Sequence, residues 1–403
     1  MTASHDRDAV ITGIGLVTSI AEGGAANRDA LAAGAHPRID EAATPPFPVH
    51  PLVAIDLDKQ IPRKGDQRQM EPWQRLGTYA AGLALADAGV AGNPALLETM
   101  HMIVAAGGGE RDIAVDEAIM TGLRDAPEKG AYLNERLSSD LRPTLFLAQL
   151  SNLLAGNISI VHGVTGSSRT FMGEEAAGAD ALRTVVARIG AGQADLGLVG
   201  AAYSAPRADM QLTFAVGASC LAGPYRTVWD RADHGGGMIP GSAGAFLVVE
   251  SRAHAQARGA RIIAKIGAVA SDRTGVAPGS VRAALDRLWA GLRPGLHPTP
   301  VTIMSGATGC EPPTREERGF LDAAASERET IIRTPGSLLG HAVEAAPIVN
   351  VALAALAIEA GTIYPPFDPK DSPAAPAVAA PEQIVVTSVG HWRGACLILV
   401  ERA

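Results

Sequence analysis

A short strand that passes through one glycine straight into a helix is the feature that most limits what this chain can become. Arg169-Thr170-Phe171-Met172 reads as the strand, Gly173 as the sharp turn and Glu174-Glu175 as the helix start. Leu182, Val185, Val186 and Ile189 recur at i, i+3, i+4 and i+7, which is the helical period. The small residues and glycines ahead of the strand read as two turns. An elbow of this kind lifts one side chain out of the packing and sets it at a helix N-terminus, where negative charge is favoured. Enzymes place nucleophiles at such points.

The rest of the chain alternates. Apolar runs at 9–19, 102–106, 194–200, 245–250, 262–270 and 301–304 read as strands. Helical patterns cover 73–88, 254–258, 280–292 and 342–360. That alternation predicts mostly parallel sheets with helices on their faces. The first strand carries Gly13 and Gly15 but lacks the third glycine and the later acidic residue of a dinucleotide fingerprint, so it reads as a core strand with a tight turn. With 403 residues there is room for two or three domains or two tightly fused halves.

Composition removes several function classes. A net charge of −8 argues against a general nucleic-acid binder. No apolar run approaches the roughly 20 residues of a spanning helix, so no membrane insertion is expected. Three cysteines without metal-like spacing fit a reduced protein, and no metal or cofactor is expected. Residues 1–8 hold no apolar signal core, so the expected location is cytoplasmic. Residues 37–62 are proline-rich and read as a surface excursion, followed by a basic stretch containing Arg63, Lys64 and Arg68.

Several ordered motifs resemble the β-ketoacyl-acyl-carrier-protein synthases, the condensing enzymes of fatty-acid and polyketide synthesis. Asn152-Leu153-Leu154-Ala155-Gly156 matches the family's Asn-x-x-Ala-Gly segment, and the register then runs without a gap through the elbow. The opening strand, Asp230 with Gly241-Ser242-Ala243-Gly244, and Gly340-His341 match further segments. The resemblance covers nearly the whole chain. It implies an α/β, thiolase-like fold of five αβαβα layers, built from two fused halves at 1–250 and 251–403.

The family works with a Cys nucleophile, two His, a Lys and a gating Phe. By the resemblance the nucleophile position falls on Glu175, the first His position on Ser305 and the Lys position on Gly336. The second His is kept as His341, opening the helix that follows it. His391 takes the Phe place, and Trp392 and Arg393 stand where Gly is usual, which is expected to narrow the tunnel mouth. Arg63, Lys64 and Arg68 fall on the family's docking site for the acidic acyl carrier protein; the plainer reading is a solvated loop. Glu175 has three readings: a helix-start carboxylate, a plug of the old nucleophile pocket expected within hydrogen-bond reach of His341 or the backbone of the 390–394 loop, or a nucleophile acting through a mixed anhydride. A relocated nucleophile would be Cys310, Ser167 or Ser168, with His341 as base.

The chain is therefore identified as a divergent member of the condensing-enzyme family. The expected role is a non-condensing, chain-length-factor-like partner of an active ketosynthase in fatty-acid elongation, as a homodimer or a heterodimer. The run 142–150 and the Phe-Met-Gly-Glu-Glu elbow resemble proteins of α-proteobacterial very-long-chain fatty-acid clusters. The alternatives are an active synthase or malonyl-carrier decarboxylase with a rearranged site, and a homodimer that binds acyl carrier protein without turnover.

Overall fold

Ten strands form one sheet in which a single pattern occurs twice. The computed structural model describes residues 5–142, 145–298, 300–373 and 380–403. In chain order the strands are β1 (Ala9–Val17), β2 (His101–Ala106), β3 (Ser168–Met172), β4 (Leu196–Tyr203) and β5 (Ala243–Ser251). They are followed by β6 (Ala264–Gly275), β7 (Val301–Met304), β8 (Thr330–Arg333), β9 (Gln383–Val389) and β10 (Arg393–Glu401). The first five lie in the order 3-2-4-5-1 and the last five in the order 8-7-9-10-6, which is the same arrangement. In each set the first, fifth and fourth strands pair antiparallel, and the fourth, second and third pair parallel. The two sets touch along β1 and β6 through only three residue pairs, Ala9 with Ile266, Val10 with Lys265 and Ile11 with Ala264.

Two helices fill the space between the sets. One, α3 (Glu175–Gly190), runs from the elbow and packs against strands of both. The other, α6 (Ala346–Ala360), packs beside it, and every residue from Pro347 to Ile358 is buried. A helix that is apolar all round belongs inside a core. Residues 343–360 are long and apolar enough to pass for a membrane span, yet 83% of that stretch is buried within the protein. Small residues let the two central segments approach closely: a Cβ added at Gly178 would lie 2.2 Å from the Glu344 carbonyl oxygen. On the outer face of the first set lie α1 (Pro72–Asp87) and α2 (Leu153–His162). On the outer face of the second lie α4 (Ser280–Leu292) and α5 (Pro313–Glu327). The result is the thiolase-like stack of five layers.

Three sequence expectations change. Residues 153–162, read as turns, form α2, which ends at Gly163 in the left-handed conformation, φ 75°. The strand expected at 262–270 runs on to Gly275. His341 does not open a helix: a short 3-10 turn, Val343–Ala345, separates it from α6. Within the 142–150 run, Pro143 and Thr144 lie outside the described residues, as do residues 1–4 of the N-terminus.

Candidate functional site

The elbow delivers Glu175 to the place where the two halves meet. Gly173 turns the chain at φ 141°, a conformation that favours glycine, and Glu175 is the first residue of α3. Its side chain is buried, 1% exposed. His341 reaches it from the segment before α6, where its backbone N–H donates to Ile239 O (2.9 Å) and its carbonyl accepts from Gly241 N (2.9 Å). His391 reaches it from the tight connection between β9 and β10 and packs edge-on against Phe214, ring centres 5.3 Å apart.

Glu175 Oε1 lies 2.6 Å from His341 Nε2, 2.9 Å from His391 Nδ1 and 3.3 Å from the His391 backbone N–H, which donates to it. Oε2 is buried without a partner among the described residues and faces Gly390, where an added Cβ would lie 3.2 Å away. Burial works against a charge here, but the His391 and His341 imidazoles outweigh it and hold the Glu175 carboxyl below the usual carboxylate range. Burial likewise opposes charge on His391, yet the Glu175 carboxylate overrides it and raises that imidazole above its ordinary value. The group at the elbow is thus a carboxylate held between two imidazoles.

Ser305, Gly336 and His341 line one cavity of about 20 Å³, room for one water and not for an acyl thioester. Ser305 is buried and its hydroxyl donates to Glu317 Oε1 at 2.7 Å. Thr387 donates to the same oxygen at 2.5 Å. Glu317, fully buried on α5, was missed in the sequence. Its signal was present: Pro313, Glu317, Phe320, Leu321 and Ala324 share the helical spacing of a core face. A second cavity of about 190 Å³ lies on the other side of the elbow, lined by Phe171, Gly173, Glu174, Arg273 and Arg393 among others. Arg393 Nε stands 3.4 Å from Glu174 Oε2, but Trp392 is 61% exposed, so of the two bulky residues only Arg393 borders this cavity.

The relocated nucleophiles fare poorly. Cys310 is buried, its Sγ 3.1 Å from Ser219 O, and burial pushes its thiol up to about 12. Ser167 accepts from Arg188 near the far end of α3. Ser168 opens β3, whose other end, Met172, adjoins the elbow; four strand steps put it about 13 Å away. Arg63, Lys64 and Arg68 are exposed around the short helix Lys64–Gln69. Lys64 Nζ is 2.5 Å from Asp58 Oδ1, while Arg63 and Arg68 have no ion-pair partner among the described residues.

One more buried acid adjoins the site. Glu344 Oε1 accepts from Gly107 N at 2.9 Å, and burial raises its carboxyl from 4.5 to about 7. A carboxyl whose pKa is higher in the folded state loses stability for the fold as pH rises from the unfolded value through the folded one. Above pH 7 the loss from Glu344 approaches about 3 kcal/mol. Glu344→Gln keeps an acceptor for Gly107 and cannot ionise. The variant should match the parent near pH 5 and melt higher than it near pH 8.5. A difference in melting temperature that is flat with pH would refute this.

A family description, "Beta-ketoacyl synthase, N-terminal domain", matches residues 6–255. The chain belongs to the β-ketoacyl synthase family. Among curated proteins, this family member is 28% identical over 302 residues to a putative polyketide beta-ketoacyl synthase 2 of Streptomyces virginiae, covering 72% of this chain and 70% of that one. It is 26% identical over 208 residues to 3-oxoacyl-[acyl-carrier-protein] synthase 2 of Rhizobium meliloti, covering 50% of this chain and 46% of that protein, under half its length. Among solved structures, the ishigamide ketosynthase/chain length factor matches with a TM-score of 0.78 at 20% identity, over 98% of this chain and 99% of that one. A type II polyketide acyl-carrier protein in complex with its ketosynthase matches at 0.72 and 16% identity, with the same coverage. At these identities the structural likeness is one of fold.

Proposed function

We propose that this β-ketoacyl synthase family chain does not itself condense acyl groups and works as the partner of an active ketosynthase in fatty-acid elongation, in the manner of a chain length factor. The observation that carries the reading is the state of the elbow: Glu175, to which the resemblance gives the nucleophile's position, is a buried carboxylate already bound by two imidazoles. Neither imidazole is left free to polarise a malonyl thioester. The first-His position is a serine committed to Glu317, and the Lys position is a glycine with no side chain. A ketosynthase/chain length factor among the structural neighbours is consistent with the pairing, and a neighbour complexed with its acyl carrier protein is consistent with a carrier as the second partner. Arg63 and Arg68, exposed and unpaired among the described residues, supply a basic patch suited to such an acidic carrier.

The test is to express the chain from its own genome with a small tag and identify what is recovered with it. The expected result is a stoichiometric complex with a ketosynthase that keeps its Cys, two His and Lys, and elongation by the complex. Recovery of this chain paired only with itself, together with β-ketoacyl product from that species, would overturn the reading.

A further inference from the structure

One candidate ligand atom from each of Glu175, His341 and His391 lies within 4.8 Å of the other two. They come from three separate elements: the first turn of α3, the segment before α6, and the connection between β9 and β10. The two imidazoles crowd one carboxylate oxygen, while the other oxygen of the same buried carboxylate has no partner among the described residues. A hydrogen-bonded plug would leave that second oxygen desolvated for nothing. We propose that these three side chains bind one divalent transition-metal ion of the zinc class.

Two imidazoles and one carboxylate are a donor set of zinc and non-haem iron sites, which keep one or more coordination positions open. Calcium and magnesium, which take oxygen ligands, do not suit it. Donors around an ion at about 2.0 Å stand about 3.3 Å apart, so the carboxylate withdraws a few tenths of an ångström from its present contacts of 2.6 and 2.9 Å, and the two ring nitrogens, now within 4.8 Å, close to the same spacing as the ion enters. The ring nitrogens that face Glu175 must present lone pairs. The other ring nitrogen of each His makes no hydrogen bond among the described residues, so a neutral imidazole can carry its proton there. Any proton held as imidazolium leaves to solvent as the ion enters. The carboxylate then bonds the ion instead of two N–H groups.

The inference stands apart from the pairing reading, because metal uptake is measured on the chain whether or not it condenses anything. The purified chain, with any affinity tag removed, is stripped with chelator, dialysed and titrated with cobalt(II). One equivalent should bind, with visible d–d absorption that zinc(II) then displaces. His391→Phe keeps a ring against Phe214 and should lose the absorption while retaining the parent's circular dichroism. Glu175→Gln should bind far more weakly. Parent protein that takes up no cobalt would show a hydrogen-bonded triad only and overturn the proposal. Equal uptake by His391→Phe would place the ion elsewhere and overturn it as well.

Discussion

The isolated chain is expected to give no β-ketoacyl product from acyl and malonyl thioesters. Condensation in this family needs a thiolate to hold the acyl group and cationic or neutral donors to polarise the malonyl carbonyl. Glu175 is a carboxylate of lowered basicity, a weak nucleophile whose acyl derivative would be an anhydride. The thiol of Cys310, pushed up to about 12 by burial, stays protonated at pH 7. Glu175→Cys alone should not restore turnover, because Ser305 and Gly336 supply neither of the missing groups. Nor is the Lys readily returned: a Cβ at Gly336 would sit 3.0 Å from the Ala307 carbonyl oxygen and 3.3 Å from Val228 Cγ2. Product detected by mass from the pure chain, or from Glu175→Cys, would show that the site has been rearranged and not retired.

Glu175→Ala should destabilise the fold by about 2–4 kcal/mol, through a void and two imidazole donors left without their acceptor. Glu175→Gln nearly preserves shape and an acceptor oxygen and should lose less than about 1 kcal/mol. Denaturant midpoints measured in chelator separate this packing role from any bound ion. The deficit should also depend on pH. The lowered carboxyl of Glu175 contributes stability above its unfolded pKa, and that contribution falls away in acid. The raised imidazole of His391 contributes below its unfolded pKa, and that part is lost as pH rises through the folded value. The Ala deficit is therefore greatest between about pH 4.5 and 6.5. An Ala variant as stable as its parent across that range would leave Glu175 as an ordinary helix-start acid.

How much of this was legible in the sequence differs from residue to residue. The elbow was, because Met172, Gly173 and the i, i+3, i+4 pattern after Glu175 are local signals. The neighbourhood of His341 was legible only through resemblance. The plug reading, by the same resemblance, set Glu175 within reach of His341 or the backbone of the 390–394 loop, and both contacts are present. That the His391 ring also binds it, 216 positions away, was not legible, since nothing in a linear pattern reports where a loop side chain turns. Helix α2 was misread because Gly156 and its small neighbours carry turn propensity, whereas its burial of Leu154, Ala155 and Ile158 against α1 decides the matter. The Gly163 stop was there to be used. Trp392 was read as a tunnel residue by position alone; its exposure depends on the direction in which the connection leaves β9.

The narrow contact between β1 and β6 has a bearing on cooperativity. Three residue pairs cannot hold two five-stranded sets together. The central core does so instead: Ala177, Leu182 and Val185 of α3 share one cluster with Ile103 and Val199 from the first set and with Ile384, Val386 and Ile398 from the second. A fragment ending near residue 255 would expose the inner face of α3 to water, and a fragment beginning there would do the same to α6. Each half is the other's solvent shield, so the chain should unfold in a single transition, and no cut between the halves should release a soluble domain.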